Sequence, residues 1–121
     1  MSDQPSASSK KSLDIEVRHE GEAAVVKLSG SAGMEEADEL RQRLLEIADQ
    51  KPAVMILEMA DLEFICSVGL GGMVASCLRC WRHQGVVRLV RPRPAIHDML
   101  EKTKLTALFE VFESVERAMK I

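Results

Sequence analysis

Apolar and polar residues alternate from Leu13 onward, and apolar residues at helical spacing follow from residue 35. Residues 13–17 (LDIEV) alternate with period two, a turn follows at residues 20–22, and residues 24–28 form a second apolar run. Two such runs around a short turn predict a β-hairpin. Pro52 ends the helix that is predicted next, over residues 35–50, whose apolar side chains recur on one face: Leu40, Leu44, Ile47 and Ala48.

The rest of the chain alternates predicted strands and helices. Apolar runs predict strands at residues 54–59, 86–90 and 108–112, and helical spacing predicts helices at residues 69–83, 95–103 and 115–119. Pro94 suits the first turn of the second of these helices, and Ser114 suits the N-cap of the last. A hairpin followed by this alternation predicts an α/β fold with a mixed, mostly parallel sheet of four or five strands.

The junction after the 54–59 strand is the most informative part of the sequence. Residues 61–72 read DLEFICSVGLGG, so an apolar strand end runs into a serine and then into glycines that open a helix. Ser67 is predicted to be the N-cap, where its oxygen can accept a backbone N–H from the first turn. A phosphate placed on it would meet the positive end of the helix dipole. These residues alone leave an ordinary cap and a modifiable serine as alternatives.

The glycines of this helix also need an explanation. Gly69, Gly71 and Gly72 each disfavour regular helix by roughly 1 kcal/mol relative to alanine. One explanation is close packing of the helix on a strand, and the other is a bare surface on which another protein approaches Ser67. A dinucleotide or P-loop site is not indicated, because the third spaced glycine is missing and no Lys-Ser or Lys-Thr pair follows.

Composition narrows the classes of function. The 121 residues are enough for one domain with a single core, and 46% of them are hydrophobic without any run that approaches a membrane span, so we expect no membrane insertion. The net charge is −3, and the aromatic residues are one Trp and three Phe. The arginines cluster only at Arg88, Arg91 and Arg93, which we expect at a strand end facing solvent. Nucleic-acid binding is therefore not expected.

The beginning of the chain and the cysteines indicate the compartment. Residues 1–12 (MSDQPSASSKKS) are polar and serine-rich with no apolar segment, which is typical of a disordered tail and of neither a signal peptide nor an anchor. We therefore place the domain at residues 13–121. Three cysteines, an odd number, argue against a disulfide framework and for a reducing compartment, so the cytoplasm is expected.

Two of the cysteines have a spacing that suggests a metal site, and the third has a position that suggests reactivity. Cys77, Cys80 and His83 form a C-x-x-C-x-x-H pattern inside a predicted helix, but a metal would need a further ligand. We expect no metal and no cofactor. Cys66 lies beside a helix N-terminus, which can favour a reactive thiolate, although no base is evident. A small redox or ligand-binding protein that uses Cys66 therefore stays as an alternative of another class.

The segment DLEFICSVGLGG resembles the signature of STAS domains, and specifically of bacterial anti-sigma-factor antagonists. That signature is a hydrophobic strand, a D-L-x-F-x-D-S-[ST]-G-L-G run and a helix. The resemblance covers residues from about 13 to 119, with further matches at residues 26–30, 85–90 and 94–101. It implies the STAS fold, with helices packed mainly on one face of the sheet. The matching residues of the signature are Asp61, Leu62, Phe64, Ser67, Gly69, Leu70 and Gly71.

The resemblance also implies a function. It makes this chain a binding module and not an enzyme: a phosphorylation-controlled antagonist that binds an anti-sigma factor serine kinase in partner-switching regulation of transcription. Ser67 matches the serine that the kinase phosphorylates and a serine phosphatase restores. A monomer or weak dimer is expected. The partner-binding residues that the resemblance implies are Gly33, Cys66, Ser67, Val68, Gly69 and Leu70.

The same fold also allows a second role, as a STAS subunit that acts as a fixed docking module in a stress-signalling or lipid-transport complex. Three departures from the signature bear on the choice. Cys66 stands in place of an aspartate, Val68 in place of a second hydroxyl residue, and Gly33 in place of an aspartate a few residues after the strand end at residues 26–30. The missing carboxylates would repel an incoming phosphate less, but they would also leave fewer groups to orient the hydroxyl or contact a kinase.

Overall fold

The structure is a computed structural model, and it describes residues 12–120. Ser12 is thus the one residue of the expected tail that falls among them. The described residues form five strands and four helices, with a turn of 3₁₀ helix at Leu105–Ala107. In chain order these are β1 (Leu13–Glu20), β2 (Ala23–Ala32), α1 (Met34–Ala48), β3 (Val54–Ile65), α2 (Ser67–Trp81), β4 (Val86–Val90), α3 (Pro94–Lys102), β5 (Glu110–Phe112) and α4 (Val115–Ala118).

The five strands form one sheet in the order β1-β2-β3-β4-β5. β1 and β2 are antiparallel and are joined by a tight turn in which Gly21 has a φ of +61°. The pairs β2–β3, β3–β4 and β4–β5 are parallel, each connected through a helix. The predicted mixed, mostly parallel α/β sheet is therefore confirmed.

Most of the helical mass lies on one face of the sheet. There the apolar faces of α1, α2 and α3 pack on alternate residues of β2, β3 and β4, including Val26, Met55, Leu57 and Leu89. The opposite face carries a smaller cluster around Val25 and Ile56, which α4 covers through Ala118. Leu40 and Leu44 of α1 are fully buried, as the helical spacing predicts.

β2 and β3 are both longer than their apolar runs predict. They continue side by side to Ala32 and Ile65, with Ser31 paired to Phe64, through register shifts on either side of Ser29–Gly30. These irregularities interrupt the period-two pattern, which is why the sequence shows the strands ending early. Gly30 has a φ of +92°, and a Cβ atom there would clash with the Ser12 carbonyl oxygen. The extension carries the strand ends to the edge where α1 and α2 begin.

Arg88 does not face solvent as expected. Its side chain in β4 is 15% exposed, and its Nη1 atom donates hydrogen bonds to the carbonyl oxygens of Ala118 at 2.8 Å and Lys120 at 2.7 Å. The guanidinium also lies 5.3 Å from the centre of the Phe112 ring. This arginine thus holds α4 against the sheet, whereas Arg91 and Arg93 are exposed.

Candidate functional site

The candidate site lies where two neighbouring parallel strands end. β2 ends at Ala32 and β3 at Ile65, and these two residues are paired in the sheet. The backbone N–H of Cys66 then donates to the Ala32 carbonyl oxygen at 2.9 Å. Gly33 and Cys66 are far apart in sequence, but each is the residue that follows one of these two paired strand ends. The structure thus brings together the first residues of α1 and α2.

Cys66, and not Ser67, is the N-cap of α2, so the sequence prediction was wrong by one residue. The Cys66 Sγ atom accepts a hydrogen bond from the Gly69 N–H at 3.4 Å, and the Leu70 N–H donates to the Cys66 carbonyl oxygen at 2.9 Å. Cysteine is not among the residues preferred at this position, which is why the pattern favoured the serine.

Ser67 is consequently the first residue of α2, and it is exposed, as expected. Its hydroxyl makes no hydrogen bond to any of the residues that the structure describes. The N–H groups at the start of a helix have no carbonyl partner within it, and the first turn of α2 contains no acidic residue. The serine oxygen therefore stands free at the positive end of a 15-residue helix, a favourable place for a dianion.

Gly33 is the N-cap of α1 and is half-buried. Its N–H donates to Glu36 Oε1 at 3.0 Å, and the Glu36 N–H donates back to the Gly33 carbonyl oxygen at 3.1 Å. The φ of Gly33 is −85°, so its backbone conformation does not require glycine. A Cβ atom there would meet only Glu36 Oε1, at 3.3 Å. The backbone geometry therefore does not explain why this position lacks the aspartate of the family signature.

Three large apolar side chains are exposed on residues next to these helix starts. Met34 is 68% exposed, Phe64 is 49% exposed and Val68 is 41% exposed. Met34 follows Gly33, and Phe64 and Val68 flank Cys66 and Ser67 in sequence. Met34 was missed as a site residue, although it is an apolar residue directly before the two acidic residues in the first turn of α1, Glu35 and Glu36. Phe64 was recognised only as part of the signature.

Gly69 and Leu70, which the resemblance counts among the partner-binding residues, are less accessible than Ser67 and Val68. Both are buried, and Leu70 is only 5% exposed. A Cβ atom on Gly69 would stand 3.0 Å from Ile65 Cγ1 and 3.6 Å from Leu40 Cδ2, so this position faces the core beneath the site. The accessible candidate residues are therefore Cys66, Ser67 and Val68, with half-buried Gly33 beside them.

The remaining cysteines belong to the core. Cys77 and Cys80 are fully buried in α2, and Cys77 Sγ lies 3.9 Å from the Leu108 carbonyl oxygen. Burial raises the pKa of the Cys77 thiol. Burial, and after it negative charge at Cys77 and at Asp49, raises the pKa of Cys80 to about 11. Between residues 12 and 120, no three His, Cys, Asp or Glu residues come together in a group that could hold a metal ion.

A model of the STAS domain matches residues 14–118 of this chain. The chain belongs to the STAS domain family. Among the helices of the described residues, none is long and apolar enough to span a bilayer.

Similar proteins include an anti-sigma F factor antagonist from Paenibacillus polymyxa, 22% identical over 108 residues that cover 88% of this chain and 92% of the relative. Among solved structures, an anti-sigma factor antagonist from Mycobacterium paratuberculosis has a TM-score of 0.80 at 24% identity, with 89% of this chain and 92% of that chain covered. SpoIIAA in its unphosphorylated form has a TM-score of 0.76 at 18% identity, with 88% and 93% covered. The Bacillus cell fate determinant SpoIIAA in its phosphorylated form has a TM-score of 0.70 at 18% identity, with 88% and 96% covered.

Proposed function

We propose that this STAS domain is an anti-sigma factor antagonist: a non-enzymatic, cytoplasmic binding module that docks on an anti-sigma factor serine kinase and is controlled by phosphorylation of Ser67. The observation that carries the proposal is the exposed Ser67 hydroxyl, free of hydrogen bonds to the described residues and placed at the first position of α2. The names of the relatives support the antagonist role, and the existence of a phosphorylated form of SpoIIAA supports the control.

The unmodified site offers a surface that another protein can cover at little cost. The side chains of Met34, Phe64 and Val68 expose apolar surface. Burial of this surface by a partner would stabilise the complex by about 25 cal/mol per Å². Neither of the positions where the family signature has aspartates, here Gly33 and Cys66, carries a charge that a partner would have to desolvate. The neutral Ser67 hydroxyl adds only a small polar group to this surface.

Phosphorylation would change the charge of the surface without changing the fold. It adds about −1.5 to −2 charges at Ser67. Within this protein the N-terminus of α2 stabilises that charge, so we expect the folded state to persist. A partner surface shaped for a neutral hydroxyl would have to desolvate a dianion, at a cost of several kcal/mol, against about 8 kcal/mol for a whole micromolar complex. Docking would end until a serine phosphatase removes the phosphate.

The first test is phosphate transfer. Incubation with the cognate kinase and ATP should add one phosphate by intact mass, and the Ser67→Ala protein should gain none. Peptide mapping of the modified protein should place the group on residue 67.

The second test is affinity for the kinase, measured by calorimetry. Ser67→Ala should bind like the unmodified protein, and Ser67→Asp should bind at least tenfold more weakly. Thr106→Asp places the same charge on an exposed hydroxyl position of the 3₁₀ turn and should bind normally. If both Ser67 variants bind with unchanged affinity, Ser67 is an ordinary surface residue and the proposed control is wrong.

One observation favours a second function, that of a fixed docking subunit in a stress-signalling or lipid-transport complex. Gly33 and Cys66 replace the two aspartates that accompany the phosphorylated serine in the family signature. A chain that no longer needs a kinase at this surface has no need of those carboxylates. In that case the kinase would transfer no phosphate, and the domain would co-purify in fixed stoichiometry with its complex.

A further inference from the structure

One side of α2 carries a row of exposed or half-buried residues, and the C-terminal half of this row is apolar. The residues on this face are spaced four, three, four and three positions apart. Leu78 is 49% exposed and Trp81, the chain's one tryptophan, is 45% exposed. Val74 is half-buried and Gly71 is exposed. We call this row the α2 seam: Ser67, Gly71, Val74, Leu78 and Trp81.

The α2 seam lies beside the face of α2 that builds the core, and half-buried Val74 packs partly against that core. The core face carries Met73, Cys77 and Cys80, which are fully buried against the sheet. Single exposed apolar residues are ordinary on protein surfaces. A four-three repeat is different, because it keeps successive side chains in one line and is the spacing with which a helix packs along another helix. The seam therefore has the form of one half of a helix–helix contact.

The charges beside the seam restrict what can cover it. No Asp or Glu occurs between Ser67 and Trp81. At the last turn, the Arg79 side chain forms an ion pair with Asp49 at 2.7 Å. The exposed Arg82 side chain forms no ion pair with residues 12–120. A second copy of α2 would bring no carboxylate to Arg82. A helix with apolar residues in line and an acidic residue near its end would satisfy both the seam and the arginine.

We propose that an acidic-flanked α-helix of the partner lies along the α2 seam, so that Ser67 stands at one end of a helix–helix contact and Trp81 at the other. This inference rests on the proposed function, because it assigns the helix to the same protein that reads Ser67. The seam spans 14 helical rises, or about 21 Å, which is four turns of a partner helix. Gly71, which has no side chain, lets the two helices approach closely beside the serine.

Trp81 provides a direct readout. The protein labelled with 5-fluorotryptophan should give a single ¹⁹F resonance, since the chain has one tryptophan. The probes are the recombinant serine kinases of the histidine-kinase-like ATPase class encoded in the same genome. Saturation with the kinase that binds should shift this resonance and protect Trp81 from quenching by acrylamide.

Substitutions separate the seam from other exposed apolar residues. Leu78→Ser and Trp81→Ala should each weaken kinase binding tenfold or more. Val86→Ser and Val111→Ser are matched controls, because these residues are 37% and 41% exposed but lie on β4 and β5, and they should change affinity less than twofold. Arg82→Glu should weaken binding, and an acidic-to-basic change on the partner helix should restore it. Thermal melts of each variant check that it is folded.

The outcomes distinguish this inference from the proposed function. If Ser67→Asp abolishes binding while Leu78→Ser and Trp81→Ala bind normally, the seam inference is overturned and the proposed function stands. If no kinase of the panel binds the unmodified protein, both are overturned. If sedimentation shows a dimer of this chain that Leu78→Ser dissociates, a second copy covers the seam and the inference is again wrong.

Discussion

Gly72 of α2 and Arg41 of α1 set the distance between the two helices that carry the candidate site. A Cβ atom on Gly72 would stand 3.0 Å from the Arg41 Cβ atom and 3.1 Å from its Cα atom. The preceding glycine, Gly71, faces open space, and a Cβ atom there would meet no heavy atom within 4 Å. The two adjacent glycines therefore have different roles, one in packing and one on the surface.

This difference predicts opposite effects of the same substitution. Gly72→Ala should lower the free energy of unfolding by about 1 kcal/mol, because the backbone of α1 must move. Gly71→Ala should raise it by roughly 0.5–1 kcal/mol, because alanine favours the helix and meets no neighbour. Urea unfolding measures both. Equal effects of the two substitutions would show that helix propensity, and not the Arg41 contact, determines the change in the free energy of unfolding.

The sulfur cap of α2 should be a weaker cap than an oxygen. Cys66 Sγ accepts the Gly69 N–H at 3.4 Å. Cys66→Asp should raise the free energy of unfolding by about 1 kcal/mol, since a carboxylate is a preferred cap and also complements the helix dipole. Cys66→Asn keeps the cap without the charge and should gain less. A Cys66→Asp protein no more stable than Cys66→Ala would contradict the capping geometry.

Cys80 should make the stability depend on pH above 9. Burial raises its pKa from 9.0 to about 11, so the folded protein holds the proton that the unfolded chain loses. The resulting stabilisation is complete below pH 9 and is lost as the pH rises to 11, at up to about 1.4 kcal/mol per pH unit. Denaturant unfolding at several pH values should show this decline. Cys80→Ala should reduce the decline and leave the part that the buried Cys77 thiol contributes, because burial raises the pKa of Cys77 as well.

Arg88 should determine whether α4 stays on the sheet. Its Nη1 atom donates to two carbonyl oxygens, those of Ala118 and Lys120. Arg88→Ala should cost about 2–3 kcal/mol, because two charged hydrogen bonds are lost, one of them to the part-buried Ala118 carbonyl oxygen. Hydrogen exchange should accelerate over residues 115–119. Arg93→Ala is the control: exposed Arg93 donates through Nε to the Ala60 carbonyl oxygen, and its loss should leave exchange in α4 unchanged.

The elements that the sequence predicts well are those whose pattern has one period and one buried face. α1 is an example, because Leu40 and Leu44 recur at helical spacing and are fully buried. The ends of β2 and β3 could not be predicted, because register shifts near Ser29 break the alternation on which a strand prediction depends. Strand pairing, which is not local, keeps these residues in the sheet.

At the candidate site, the sequence predicts the exposure of Ser67 but not the surface around it. Ser67 could be found from the strand-to-glycine junction, and its exposure agrees with that prediction. The burial of Gly69 and the exposure of Met34 could not, because both depend on how α1 and α2 pack on the strand ends. The α2 seam could not be predicted from the sequence either. Trp81 and Cys77 are both apolar, and only the fold shows which of them is exposed and which is buried.

The hydrogen bond from the Cys66 N–H to the Ala32 carbonyl oxygen has a consequence for the speed of signalling. It ties the starts of α1 and α2 to each other through the edge of the sheet, so we expect both helix starts to keep their positions when the serine gains or loses a phosphate. On the proposed function, the domain then adds no relaxation step of its own. The delay between a change in kinase or phosphatase activity and the release of a sigma factor would be set by phosphate turnover and by complex dissociation alone.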